Sequence, residues 1–408
     1  MSQISTITLR PGTADRILAG HPWIYRGAIQ NITQEPADGD MVQVRDHRRR
    51  FLGVGLFNAQ SKISVRLLSR TKEEIDTRFF LRRLSAAQNH RQRLMPEATA
   101  YRLANAEGDE LSGLIIDRYE DTCALQISSL GMAQRKPQII DALKTLCQPD
   151  LIIERTDLAS RRVEGLSTGT ALERVDGHSD PIVPKRLKMN GLTFSVDFHH
   201  GHKTGFYLDQ QTNYQLASDL AASWGARRIL DCFTYQGGFA LHLAKRLEGS
   251  VLAIDQSQDA IARAEENASL NDLADRCEFK TANVFDWLKE AQRSTRPDSA
   301  ENKFDAIILD PPSFTRNRNS VRDALRGYKE IHLRALRLLR DRGLLFTYCC
   351  SHHVDADTFE EVVATAALDN RRCLRRIAAY GQAPDHPVIP TIPETQYLKG
   401  FAYELLPR

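Results

Sequence analysis

The sequence contains no apolar run approaching the ~20 residues that cross a bilayer. Its first residues, Met1-Ser2-Gln3-Ile4-Ser5, are polar and lack a basic-then-apolar signal pattern. Charge of one sign is scarce too: 55 Lys and Arg against 52 Asp and Glu leave a net +3. That balance is too mild to indicate nucleic-acid binding by itself, so local clusters must carry such a case. The seven cysteines are an odd number, scattered without metal spacing. Metal is therefore expected to be absent, and a reducing, cytoplasmic setting with free thiols is expected. A clean G-x-G-x-x-G is also missing, which weakens a dinucleotide-binding reading.

What is present centres on Ile229 to Gly238, Ile-Leu-Asp-Cys-Phe-Thr-Tyr-Gln-Gly-Gly. It reads as a buried strand, a glycine turn and a helix starting near Phe239, a place where backbone N–H groups meet a ligand. Glycine is expected there because a Cβ would push the ligand away. Val251 to Ile254 is a second strand ending at Asp255, an acid placed to accept from ribose hydroxyls. Phe304 to Leu309 is a third, ending in Asp310-Pro311-Pro312-Ser313-Phe314. A dinucleotide and S-adenosylmethionine both carry the ribose. A dehydrogenase has no evident use for a stiff Asp-Pro-Pro loop at the sheet edge, whereas an enzyme methylating a planar base does.

The 408 residues allow two or three domains at roughly 150 residues each. Residues 1 to 72 alternate short β-like runs with turns and suggest a small barrel. Asp46-His47-Arg48-Arg49-Arg50 is a basic hairpin tip, in isolation a solvated turn. Trp23 reads as a core aromatic. From Glu73 to Met95 the spacing predicts a helix, with Phe79, Phe80, Leu84 and Ala87 on its apolar stripe and Arg82, Arg83, Arg91 and Arg93 off it. Residues 73 to 198 as a whole read as this connector helix and a mixed α+β region. Leu114 to Tyr119 and Thr122 to Ile127 form a hairpin in it. His199, His200 and His202 share a turn with no paired carboxylate, better read as a loop over a ligand than as a metal site. Asn283 falls at a strand end, where a turn role and a ligand role weigh evenly. The strand from Gly343 to Tyr348 delivers Cys349-Cys350-Ser351 to the same edge as Asp310, where a thiol can reach a substrate.

Asp231-x-Phe233 with Gly237-Gly238, Asp255, Asn283 and Asp310-Pro311-Pro312 resemble the ordered motifs of a class I S-adenosylmethionine-dependent methyltransferase. Adding His21-Pro22-Trp23, His200 to Gln210, Asp385-His386-Pro387 and Tyr397 to Phe401, nearly the whole chain resembles the ribosomal large-subunit RNA methyltransferase I family. The resemblance implies an α/β fold: a Rossmann-like methyltransferase domain at 199–408, an N-terminal PUA-like RNA-binding barrel and a central α+β domain that widens the RNA groove. It implies S-adenosylmethionine as cofactor, held by Lys203, Thr204, Phe206, Tyr207, Asp209, Gln210, Asp231, Phe233, Gly237, Gly238, Asp255, Asn283, Asp310 and Pro311. In this fold a side chain at Asn283 typically bonds the adenine amino group.

The same resemblance makes ribosomal RNA the expected partner, with no membrane and with a homodimer left open. Arg48, Arg49 and Arg50, together with Arg316 and Arg318 after the Asp-Pro-Pro loop, become phosphate contacts. The family makes 5-methylcytosine, with Cys350 at the position of its catalytic thiol and Asp310 beside the base. Cys349 stands where members often have Ser, so either sulfur could attack. Ser313 replaces the cysteine that other 5-methylcytosine enzymes carry after the prolines, which implies a one-cysteine mechanism with Ser313 a turn residue. Methylation of an exocyclic nitrogen such as guanine N2, and a non-catalytic PUA-type RNA-binding protein, are the competing readings.

Overall fold

A computed structural model describes residues 4–156, 158–166, 170–199, 205–294, 303–315 and 318–407. The chain divides into two compact units. One comprises residues 1–187, 196–208 and 384–395, the other residues 188–195, 209–383 and 396–408.

The first unit holds two sheets. Strands β1 (Thr6–Leu9), β2 (Trp23–Tyr25), β3 (Ile29–Ile32), β4 (Met41–Arg45), β5 (Phe51–Phe57) and β6 (Ile63–Ser69) form a six-stranded sheet in the order β2-β6-β5-β4-β1-β3. Period-two alternation sends Ile7, Leu9, Val42, Val44, Val65 and Leu67 into one core. A second sheet, order β11-β10-β9-β8-β7, is built from β7 (Ala100–Asn105), β8 (Leu114–Tyr119), β9 (Thr122–Ile127), β10 (Leu151–Arg155) and β11 (Leu172–Arg174). The hairpin is found at its expected residues, with Glu120 left-handed in its turn (φ +53°).

The connector helix runs Thr77–Leu94, started by the Asp76 carboxylate accepting from Phe79 N. Phe79, Phe80, Leu84 and Ala87 are buried as expected. Arg91 is not on the solvent side: it is 1% exposed and donates to both oxygens of Asp109, to Arg102 O and to Asp385 O. Trp23 also differs from expectation. Its indole N–H donates to Glu107 and Ser112, and Arg66 lies 5.6 Å from its ring centroid, so polar contacts hold it.

A short pair of strands, β12 (Lys185–Met189) and β13 (Leu192–Val196), precedes the second unit's sheet. That sheet has seven strands: β14 (Arg228–Cys232), β15 (Ser250–Asp255), β16 (Cys277–Thr281), β17 (Phe304–Leu309), β18 (Leu339–Cys349), β19 (Leu374–Gly381) and β20 (Lys399–Leu405). Their order is β16-β15-β14-β17-β18-β20-β19. The first five pair in parallel, and β20 inserts antiparallel against both β18 and β19. Order reverses between β14 and β17, and open α/β sheets bind ligands at such a switch point, outside the carboxyl ends of the strands. No described helix is long and apolar enough to cross a membrane.

Candidate active site

The turn after β14 is unusual in its backbone. Phe233 (φ +65°), Tyr235 (φ +51°) and Gly237 (φ +85°) are all left-handed. For Phe and Tyr this costs on the order of 1–3 kcal/mol each, and such strain collects at ligand sites. Hydrogen bonds fix the turn: Thr234 N to Ile254 O (3.0 Å), Tyr235 N to Asp255 Oδ2 (3.0 Å) and Asn267 Nδ2 to Gln236 O (3.1 Å). Gly237 caps the helix Gly238–Arg246 in a conformation only glycine adopts freely. A Cβ on Gly238 would stand 2.6 Å from Tyr214 Cζ, so its bareness also serves protein packing.

Three carboxyl groups lie within one residue of the ends of neighbouring strands. Asp231 is fully buried; its Oδ2 accepts from Thr234 Oγ1 (2.6 Å) and Ala240 N (3.0 Å), while Oδ1 has no partner among the described residues. Burial pushes its carboxyl up to about 7 against those two hydrogen bonds, and the nearby Asp255 adds to the rise. Asp255 is half-buried and accepts from Tyr235 N and Ser257 N. Asp310 is half-buried one residue past β17, followed by the buried Pro311. Asn283 is exposed and spends its carbonyl oxygen capping the helix Val284–Ser294, on Phe285 N (3.0 Å) and Asp286 N (3.3 Å). What it keeps for a ligand is its NH2, a donor suited to a ring nitrogen rather than to the adenine amino group.

The two adjacent cysteines part company because successive strand residues face opposite sides. Cys349 is fully buried in the apolar core, its thiol donating to Tyr328 Oη at 3.4 Å. Cys350, half-buried, follows the last residue of β18. β17 and β18 are adjacent and parallel, with Leu309 opposite Thr347, so Asp310 and Cys350 emerge from neighbouring strand ends. Ser351 joins the two loops: Ser313 Oγ lies 2.7 Å and Thr315 Oγ1 3.1 Å from its hydroxyl. Ser313 is thus a tie between the Asp-Pro-Pro loop and the cysteine strand, beyond a turn residue.

The remaining expected residues are distributed as follows. Asp209 accepts from Tyr397 Oη (2.6 Å), and Gln210 Oε1 from Asn213 (2.6 Å). Phe206 and Tyr207 fall in the first unit, where Phe206 is buried and its N–H donates to Tyr119 Oη (3.0 Å). Phe233 is half-buried, edge-on to Phe314. Arg48, Arg49 and Arg50 are exposed on a tip organised by the buried Asp46, which accepts from Arg48 N, Arg50 N and Arg50 Nε. Arg50 is thereby ion-paired, leaving Arg48 and Arg49 as the projecting cations. Lys203, Thr204, Arg316 and the Arg318 side chain lie outside the described residues, as do His200 and His202. Sequence reasoning gave Tyr397 no role in the site. No local pattern could supply one, since its partner Asp209 is 188 residues away.

The donor set tests the cofactor. Asp255 and Asp310 put carboxylates at the strand ends, which repels a pyrophosphate and suits a ligand with a sulfonium and an ammonium. Asp231 Oδ1 and Gln236 Oε1, without a partner among the described residues, are acceptors that a ligand's donors can satisfy. S-adenosylmethionine fits, and fold and strand ends define a class I S-adenosylmethionine-dependent methyltransferase. Residues 225–388 match the family model of a methyltransferase domain, and residues 7–70 that of a PUA-like domain. Relatives named ribosomal RNA large subunit methyltransferase I include one from Aeromonas salmonicida, 39% identical over 97% of this chain and 98% of its own length. One from Shigella flexneri is 36% identical over 98% of this chain and 99% of its own. The chain belongs to the ribosomal RNA large subunit methyltransferase I family. A Streptococcus mutans structure described as a SAM-dependent methyltransferase shares the fold at 20% identity. Its TM-score is 0.80, over 98% of this chain and all of that one.

Proposed function

We propose that this chain methylates carbon 5 of a cytosine in large-subunit ribosomal RNA, with Cys350 as nucleophile. The observation that carries the reading is the emergence of Cys350 beside Asp310 at the carboxyl edge of the sheet, while Cys349 is sealed in the core. Carbon 5 of cytosine is a poor nucleophile. The Cys350 thiolate adds to carbon 6, and the bond electrons move to make carbon 5 enamine-like. S-adenosylmethionine, when bound by Asp231, Asp255, Asn283 and the Asp209 region, supplies an electrophilic methyl group. Asp310 accepts from the exocyclic amine and shares a proton with the ring nitrogen as charge develops there. A base then takes the carbon 5 proton, the C–H electrons re-form the double bond between carbons 5 and 6, and the C6–S bond breaks to release the thiolate.

The target base must leave its stack to reach such a site. The names of the relatives and the PUA-like domain support ribosomal RNA as substrate, with Arg48 and Arg49 as phosphate contacts. The test is nucleoside mass spectrometry of ribosomal RNA from cells lacking this chain. A 5-methylcytosine should disappear, return with the wild-type chain and stay absent with Cys350→Ala. An unchanged level rejects the reading, and rescue by Cys350→Ala favours methylation of an exocyclic nitrogen, which needs no thiol.

A further inference from the structure

We infer that Lys399 is a positioning residue for Cys350: its ammonium ties down the chain just after the thiol and sets a positive charge beside it. The inference rests on the proposal above that Cys350 is the nucleophile. Lys399 opens β20, directly opposite Cys349 in the antiparallel pairing with β18. Its Nζ donates to Ser351 O and to Val354 O, each at 2.5 Å. Ser351 and Val354 are both 1% exposed, and Val354 N turns back to Ser351 O at 3.4 Å. One ammonium therefore closes the turn that follows the thiol. Ser351, fixed by Lys399 through its carbonyl, is fixed through its hydroxyl by Ser313 and Thr315 of the Asp310 loop. The carboxylate and the thiol are thus registered to each other through one residue, and that residue is held by Lys399.

The charge matters as well as the clamp. The titratable groups that act on Lys399 are Cys349 at the end of β18, Cys350 just past it and Asp355 from the turn before the helix Ala356–Asp369. Tyr328, from the helix Val321–Leu338, faces the same two thiols; burial first, and then Cys349, drive its hydroxyl pKa upward, so it stays protonated. Burial draws the Lys399 pKa down, and the two thiols and Asp355 pull it back up. The attraction is mutual: what favours the ammonium favours the thiolate. A free thiol with a pKa of about 8.5 is mostly protonated at neutral pH, so a cation held at the residue that follows it raises the reactive fraction. An ammonium presents three donors from one compact centre and suits two converging carbonyls, whereas a guanidinium fork is wider and planar.

The test reads Cys350 directly in the full-length protein. Iodoacetamide alkylation of the Cys350 peptide is followed by mass spectrometry from about pH 6 to 10. It is paired with single-turnover methyl transfer and the KM for S-adenosylmethionine. In Lys399→Met and Lys399→Gln the alkylation midpoint should move up by about one unit, a roughly tenfold loss of thiolate near neutral pH. Transfer should slow while the cofactor KM stays within about twofold, the signature of a loss confined to the reacting thiol. Lys399→Arg should restore the midpoint but not the full transfer rate. An unchanged midpoint in both neutral variants overturns the inference, and Gln decides it if Met does not fold. Retained methylation by Cys350→Ala would instead remove the cysteine mechanism, while the Cys350 midpoint stays readable in the wild type and the Lys399 variants.

Discussion

In the unit carrying the PUA-like sheet, buried carboxylates face guanidinium groups; at the switch point of the seven-stranded sheet, Asp231 faces a hydroxyl and an amide. Arg102 gives two hydrogen bonds to Asp117, at 2.7 and 2.9 Å, with Asp117 fully buried. Asp385, also fully buried, accepts from Arg102 N and from the His386 ring. Arg66 reaches Glu164 at 2.9 Å. Asp117 and Glu164 thus have their countercharges within the protein, and arginines here also fasten distant segments: Arg91 donates to the backbone carbonyl of Asp385, 294 residues away. Asp231 has the same burial and one oxygen without a partner among the described residues. Paired buried charge belongs to the fold, and a buried carboxyl oxygen left open offers an acceptor to a ligand.

The sharpest way to break that contrast is to remove one partner from each side. Arg102→Met leaves the Asp117 carboxylate buried without its guanidinium and should cost about 3–5 kcal/mol. Hydrogen exchange of the β7 to β9 amides should show the loss, because global unfolding of a two-unit chain is not a single transition. Asp231→Asn should do the opposite to stability and still damage function. S-adenosylmethionine affinity, read by calorimetry, should fall by about 1.5–3 kcal/mol, the range for a hydrogen bond to a charged group. The ligand-free protein should not lose stability. If Asp231→Asn destabilises the apo form as strongly as Arg102→Met, Asp231 is a structural residue and the contrast fails.

Much of the fold was legible because apolar periodicity is local. The strand Phe304–Leu309, the hairpin and the buried stripe Phe79, Phe80, Leu84 and Ala87 follow from residues within one element. The misreadings concern partners supplied from elsewhere. Arg91 looks like a surface arginine until Asp109 and Asp385 arrive, and Trp23 looks like core until Glu107 and Arg66 do. At the site, period two says that Cys349 and Cys350 face opposite ways. Only the helix carrying Tyr328 settles which faces the core. Lys399 was part of a recognisable motif, yet its role depends on two carbonyls reached only after β20 pairs with β18.

A subtler version of the same comparison lies in the pH dependence of the second unit. His242 and His332 are buried, and burial holds both down to about 4. The Nδ1–H of each donates to a carbonyl, Gly238 O for His242 and Tyr328 O for His332, and Thr347 donates to His332 Nε2. Unfolded, each takes a proton near 6.5, so the unfolded state binds more protons between about 4 and 6.5. Their contribution is present at neutral pH and is lost as pH falls through that window. Asp231 has the opposite sign, because its folded value of about 7 exceeds the unfolded ~3.9. Its contribution is present in acid and lost as pH rises through 7. His332→Gln should therefore flatten the fall in Tm on acidification from about pH 7 to 5. Asp231→Asn should gain on the wild type as pH rises from about 5 to 8, by a few degrees at most in a chain this long. The two variants should shift the Tm–pH curve in opposite directions. If Asp231 holds the cofactor as proposed, saturating S-adenosylmethionine should leave the His332 effect in place and reverse the Asp231 effect.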